Sequence, residues 1–128
     1  TINMTVDPQP TGVSQACLSC HDGTVGLDVI VNVPNNYTGG GAVGTRMPAS
    51  GLTNLGTDLR NDHPISVLYD NTADTKFHTA SELQAAGLQL YNGKVQCGSC
   101  HNPHTAANRP FLRISNGGSA LCLTCHIK

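Results

Sequence analysis

Cys-x-x-Cys-His occurs three times in 128 residues: CLSCH at 17–21, CGSCH at 97–101 and CLTCH at 122–126. These copies use every cysteine in the chain. The cysteines therefore share one repeated task, and any fold must accommodate it three times. Cys-x-x-Cys-His is the pattern by which a polypeptide attaches c-type haem. Each thiol adds to one of two vinyl groups on one side of the porphyrin. With two residues between them, a single helical turn presents both sulfurs to that edge. The histidine that follows is aimed at the iron. Other uses of cysteine fit less well. Two Cys-x-x-Cys pairs make a four-sulfur zinc site, but three leave one over, and zinc gives no reason for a histidine after each pair. A redox Cys-x-x-Cys occurs once, inside a strand–helix pattern. Disulfides within such pairs close small, strained rings. The spacing thus predicts three haem c groups on Cys17 and Cys20, Cys97 and Cys100, and Cys122 and Cys125. His21, His101 and His126 are the expected proximal iron ligands.

The other three histidines are His63, His78 and His104. Three irons have six axial positions and the chain has six histidines, so the simplest assignment makes these three the distal ligands. His104 lies three residues beyond His101, a span of at most about 10 Å. That is too short to pass round a porphyrin rim, so His104 serves a different haem or none. His63 precedes Pro64, which favours an extended backbone and narrows the freedom of the imidazole. Asp62 is a candidate acceptor for a ligand nitrogen, although neighbours in an extended chain point apart. His78 rests on the count alone, and a surface histidine is the plain alternative. Met4 and Met47 are the competing distal ligands; filling space beside a haem is the commoner work of methionine.

The rest of the composition gives little from which to build a core. There is no Trp, with two Phe and three Tyr, against 14 Gly and seven Pro. Porphyrins would have to supply the missing apolar mass, so folding is expected to depend on the cofactor. A formal net charge of −1 from few charged residues offers no basic stripe for nucleic acid and no polybasic membrane patch. No apolar run is long enough to cross a bilayer. The first residue is Thr1, which suits an export signal already removed. Asn3 and Asn36 fall in N-glycosylation patterns too common by chance to weigh.

The expected fold is one small haem-cored domain over residues 1–128. It is mostly irregular, with a few short α-helices and a minor β-hairpin, and residues 1–16 form an N-terminal arm. Ser14 is the expected cap of a helix carrying the first motif, with Gly23 ending it. Val25, Leu27, Val29, Val31 and Val33 alternate as in a strand, and Gly39–Gly44 is a loop. A second strand, with Ile65, Val67 and Tyr69 on one face, could pair with the first. Ser81 to Gln84 fits a capping box opening a helix through Tyr91, with Leu83, Ala86 and Leu90 inward and Gly93 as its stop. Ser119 is the expected cap of the last helix.

Together the stretches CLSCHDGT, LGTDLRNDHPIS, CGSCHNPH and FLRISNGGSALCLTCH resemble the multihaem c-type cytochromes of the doubled C-x-x-C-H class, over most of residues 17–126. The resemblance implies an exported protein, extracellular or periplasmic, that carries electrons in anaerobic respiration. It implies haem on the six cysteines, proximal His21, His101 and His126, and distal His63 and His104; His78 matches no motif of the class. Some members polymerise into extracellular filaments, in which a distal histidine can come from the next subunit. A charge-poor surface and a last motif close to the end of the chain lean that way. The expected function is therefore electron transfer, as a self-associating filament subunit passing charge to redox partner proteins or extracellular acceptors. A monomeric periplasmic shuttle is the alternative. A multihaem reductase is less favoured, because it needs an open iron position and six histidines fill all six.

Overall fold

The structure, a computed structural model, describes residues 2–28 and 46–128. Four short helices and one two-stranded sheet are joined by turns and irregular chain: α1 (Gly12–His21), β1 (Val67–Leu68), α2 (Ala80–Ala85), β2 (Lys94–Val95), α3 (Cys97–Cys100) and α4 (Ala120–Cys125). Two 3₁₀ turns add Leu59–Asn61 and Gly117–Ser119. This is the mostly irregular, weakly helical class expected of a small haem-binding domain. Among the described residues no helix is long and apolar enough to cross a membrane.

The chain divides into two compact units, Gln15–His63 and the remainder, Thr1–Ser14 with Pro64–Lys128. The larger unit holds a small core of Tyr69, Leu83 and Leu88, with Phe77, Ala80, Leu90, Val95, Ile114, Leu121 and Cys125 packed on it. Tyr69 and Phe77 meet edge to face, ring centres 5.9 Å apart. Several large apolar side chains remain exposed, Leu52, Phe111, Leu123 and Ile127 among them.

The strand expected over Ile65–Tyr69 forms at Val67–Leu68, with Val67 and Tyr69 buried and Leu68 exposed, as the alternation requires. β1 pairs antiparallel with β2, Val67 opposite Val95 and Leu68 opposite Lys94. The other edge is taken by the N-terminal segment: Val6 bridges Val67, Asp7 N–H donates to Ser66 O, and Leu68 N–H donates to Thr5 O. With both edges occupied, no third strand can add there. Residues 25–28 form bends and turns; 29–33, the 39–44 loop and Asn36 lie outside the described residues.

The expected arm is helical from Gly12 onward, and Ser14 does not cap α1. Gly23 does end it, with φ +73° and its N–H on Cys20 O. Helix α2 is shorter than expected and starts earlier. Its capping box is Thr79 with Glu82, not Ser81 with Gln84: Thr79 Oγ1 accepts from Glu82 N, and Thr79 N–H donates to Glu82 Oε2 at 2.7 Å. Gly87, at φ +99°, ends the helix well before Gly93, and places Leu88 rather than Ala86 in the core beside Leu83. Ser119 does stand before α4, but in left-handed conformation (φ +66°) and without a side-chain capping bond.

Candidate haem-attachment sites

All three Cys-x-x-Cys pairs fall on helical turns. Cys17 and Cys20 close α1, Cys97 and Cys100 are the two ends of α3, and Cys122 and Cys125 lie on α4. A helix of four residues has little stability of its own, so α3 is held from outside. Ser14, fully buried on α1, accepts the Cys97 N–H at 2.9 Å. Ser99 Oγ accepts the Gln96 N–H at 2.9 Å. Two of the donors that every helix start leaves orphaned are thus satisfied. At the far side Arg113 folds over the helix: its Nε donates to Gly98 O at 2.7 Å and its Nη2 to the Tyr91 hydroxyl at 3.1 Å.

Each motif histidine is gripped by a separate returning segment. At the first, Thr53 O lies 2.7 Å from His21 Nδ1, and Leu55 N–H donates to His21 O. At the second, Pro110 O lies 3.0 Å from His101 Nδ1. There residues 111–113 also run antiparallel across the motif: Asn102 N–H donates to Phe111 O and Arg113 N–H to Cys100 O. The third motif repeats this backbone pattern with residues 76–78. Ile127 N–H donates to Lys76 O, His78 N–H donates to Cys125 O, and Phe77 bridges His126. The Phe77 ring also packs on the His126 imidazole, centres 4.4 Å apart.

A backbone carbonyl can only accept, so Nδ1 of His21 and of His101 must carry the proton. The neutral ring then has its lone pair on Nε2, free to bind a metal. Fixing the tautomer from behind in this way is how proteins prepare an imidazole for iron.

Among the described residues no disulfide joins the thiols of the three motifs. Burial, then the neighbouring Cys122 and Cys97 thiols, push Cys100 up; burial, then Cys100 and Cys122, push Cys125 up to about 11. These sulfurs stay protonated at neutral pH, unlike the thiolates of catalytic cysteines. Their mutual influence also places the second and third motifs side by side within the larger unit. Among the described residues no three His, Cys, Asp or Glu side chains converge as a metal-ion site. The residues present do fit haem c. Paired sulfurs sit on one turn, two histidines have Nε2 prepared, and large apolar side chains await cover.

The remaining histidines are placed less decisively. His63 is exposed, after the extended Asp62. His104 is exposed in a turn, its N–H on Asn102 Oδ1. His78 has a backbone role: besides its bond to Cys125, its carbonyl accepts from the Tyr69 hydroxyl at 2.7 Å. Its Nδ1 lies 3.8 Å from Glu82 Oε2. Met4 and Met47 are half-buried, and Met47 O accepts from Asn54 Nδ2. The gripping segments meet their motifs through backbone contacts, from nine residues away at His101 to 47 at Cys125, and no side-chain pattern in the sequence announces them. Arg113 did leave a signal: from residue 83 to the end there are four cations, Lys94, Arg109, Arg113 and Lys128, and no Asp or Glu.

Residues 91–128 match the family model of the doubled CXXCH motif. No curated protein matches the chain. The matched segment covers 38 of the 128 residues and contains the second and third attachment motifs; the first lies outside it. The match supports a multihaem c-type cytochrome class, with the haem c binding and electron transfer that such a motif serves.

Proposed function

We propose that the chain is an electron carrier holding three haem c groups. Cys17 and Cys20, Cys97 and Cys100, and Cys122 and Cys125 hold them, with His21, His101 and His126 as proximal ligands. His63, His78 and His104 complete the axial positions. Haem c supplies a one-electron iron couple; the chain's own residues attach it, orient its imidazoles and shield it from water. The observation that carries this reading is the carbonyl behind Nδ1 of both His21 and His101, which leaves Nε2 as the metal-binding nitrogen.

Intact mass of protein made in a host that performs haem attachment tests the count directly. Three haem additions are expected, and the mass of the bare chain would refute the reading. Replacing His63, His78 or His104 singly with Ala should each turn one haem from low-spin to high-spin, seen in the visible spectrum. Carbon monoxide should not bind the reduced wild-type protein; binding would favour the reductase alternative.

The finer reading is a subunit of an extracellular filament, passing electrons to redox partners or extracellular acceptors. The sparse charge of the chain, seven Lys and Arg against eight Asp and Glu, favours self-association over a freely diffusing periplasmic shuttle, which keeps a charged, steering surface. Electron microscopy and sedimentation of native material decide between them: filaments are expected, and monomers at high concentration would leave the shuttle.

A further inference from the structure

Arg113 is more than a clamp on α3. Arg60 is paired with Asp58 and Lys94 with Asp7, so those two cations are largely neutralised. Among the described residues no carboxylate forms an ion pair with Arg113. Its guanidinium is part-buried and fixed in direction by Gly98 O at 2.7 Å and the Tyr91 hydroxyl at 3.1 Å. The Tyr91 hydroxyl is itself held by Gln89 Oε1 at 3.1 Å. The Arg113 backbone N–H is bonded to the carbonyl of Cys100, at 2.8 Å. One unneutralised positive charge is therefore anchored on the same four-residue helix that carries the second pair of thiols. The other two sites are built differently. At the first, Asp22 follows the motif histidine directly. At the third, the residue in the corresponding place of the gripping segment is His78, which faces Glu82.

We propose that Arg113 is a positioning residue that tunes the second site: its fixed charge makes the centre held by Cys97, Cys100 and His101 easier to reduce than it would otherwise be. The physical reason is that reduction adds one electron and lowers the positive charge of the centre, so a nearby cation is repelled less by the reduced form. Net charge and burial around such a centre are among the main determinants of its potential. A unit charge on the order of 10 Å away, at an effective dielectric of about 20, shifts a one-electron equilibrium by roughly tenfold. This rests on the reading that haem is attached at the second motif.

The test is an optical redox titration of the wild-type protein, Arg113→Gln and Arg113→Lys, after the mass of each confirms its haem count. Gln removes the charge. Lys keeps the charge but cannot reproduce the two-pronged hydrogen bonding. In Arg113→Gln one of the three components should become harder to reduce, by about tenfold in its equilibrium constant. Arg113→Lys should keep that component near its wild-type position. Equal displacement in both variants would overturn the proposal, because the role would then be structural. No displacement in either, with three haems attached, would overturn it too and leave the haem reading intact. A bare-chain mass in the wild type would overturn both.

Discussion

Gly98 shows how much a single position in the second motif is asked to do. The other two motifs have Leu there, Leu18 buried and Leu123 exposed. A Cβ built on Gly98 would lie 2.8 Å from the Tyr91 hydroxyl oxygen and 3.0 Å from two ring carbons. That hydroxyl is held by Arg113 and Gln89, so the ring cannot yield without breaking their bonds. Gly98→Ala is expected to destabilise the larger unit by about 1–3 kcal/mol, as overpacking does, and to lower the thermal midpoint. An unchanged melting curve would show that the ring moves freely. At this scale the sequence was most informative where chemistry is local. Six cysteines and three adjacent histidines point to haem c through spacing alone. Ser14 shows the opposite. It was expected to cap its own helix but caps α3, 83 residues away, because a hydroxyl satisfies whichever orphan N–H the fold brings to it.

Among the elements, the N-terminal segment is the least expected. It is latched to the sheet by polar bonds, not by apolar packing. Lys94 Nζ meets the Asp7 carboxylate at 2.7 and 2.8 Å, Thr11 Oγ1 donates to Asp7 at 2.8 Å, and the Thr11 N–H donates to buried Ser66 Oγ at 2.9 Å. The hydrogen bond from Lys94, then that from Thr11, hold the Asp7 carboxyl below the usual carboxylate range. A carboxyl depressed in the folded state contributes stability above its unfolded pKa and loses it as pH falls through the folded value. Acidification below the ordinary carboxylate range should therefore release residues 2–11 first. Hydrogen exchange at the Asp7, Thr11 and Leu68 amides should quicken there before the core amides respond. Equal protection of those amides through that range would contradict the latch. Capping residues were legible in kind but not in register. Thr79 and Ser81 each have an acceptable partner three residues on, Glu82 and Gln84, and the box forms at Thr79.

For the whole molecule, the central fact is how little apolar surface is covered: among the described residues only five apolar side chains are buried, Leu18, Val67, Tyr69, Leu83 and Leu88. Composition made that shortage legible; the way the chain copes with it was not, since it depends on returning segments with no sequence signature. The cofactor should therefore carry different weight at different sites. Helix α3 has Ser14, Ser99 and Arg113 to hold it, whereas α4 buries no residue and has no side-chain cap. Replacing Cys122 and Cys125 with Ala should cost α4 its amide protection, while the same change at Cys97 and Cys100 should leave α3 more ordered. The reverse ranking in hydrogen exchange would show that polar anchoring is not what distinguishes them. The gripping segments also differ in their place along the chain. Residues 53–55 and 110–113 follow the motifs they hold, but residues 76–78 precede theirs. Because translation runs from the N-terminus, Cys17 and Cys97 leave the ribosome before the segments that hold His21 and His101 have been synthesised. Cys122 emerges after its segment, residues 76–78. The first two histidines are thus untethered when their thiols first become available, and the third is the one site whose template is older than its nucleophiles.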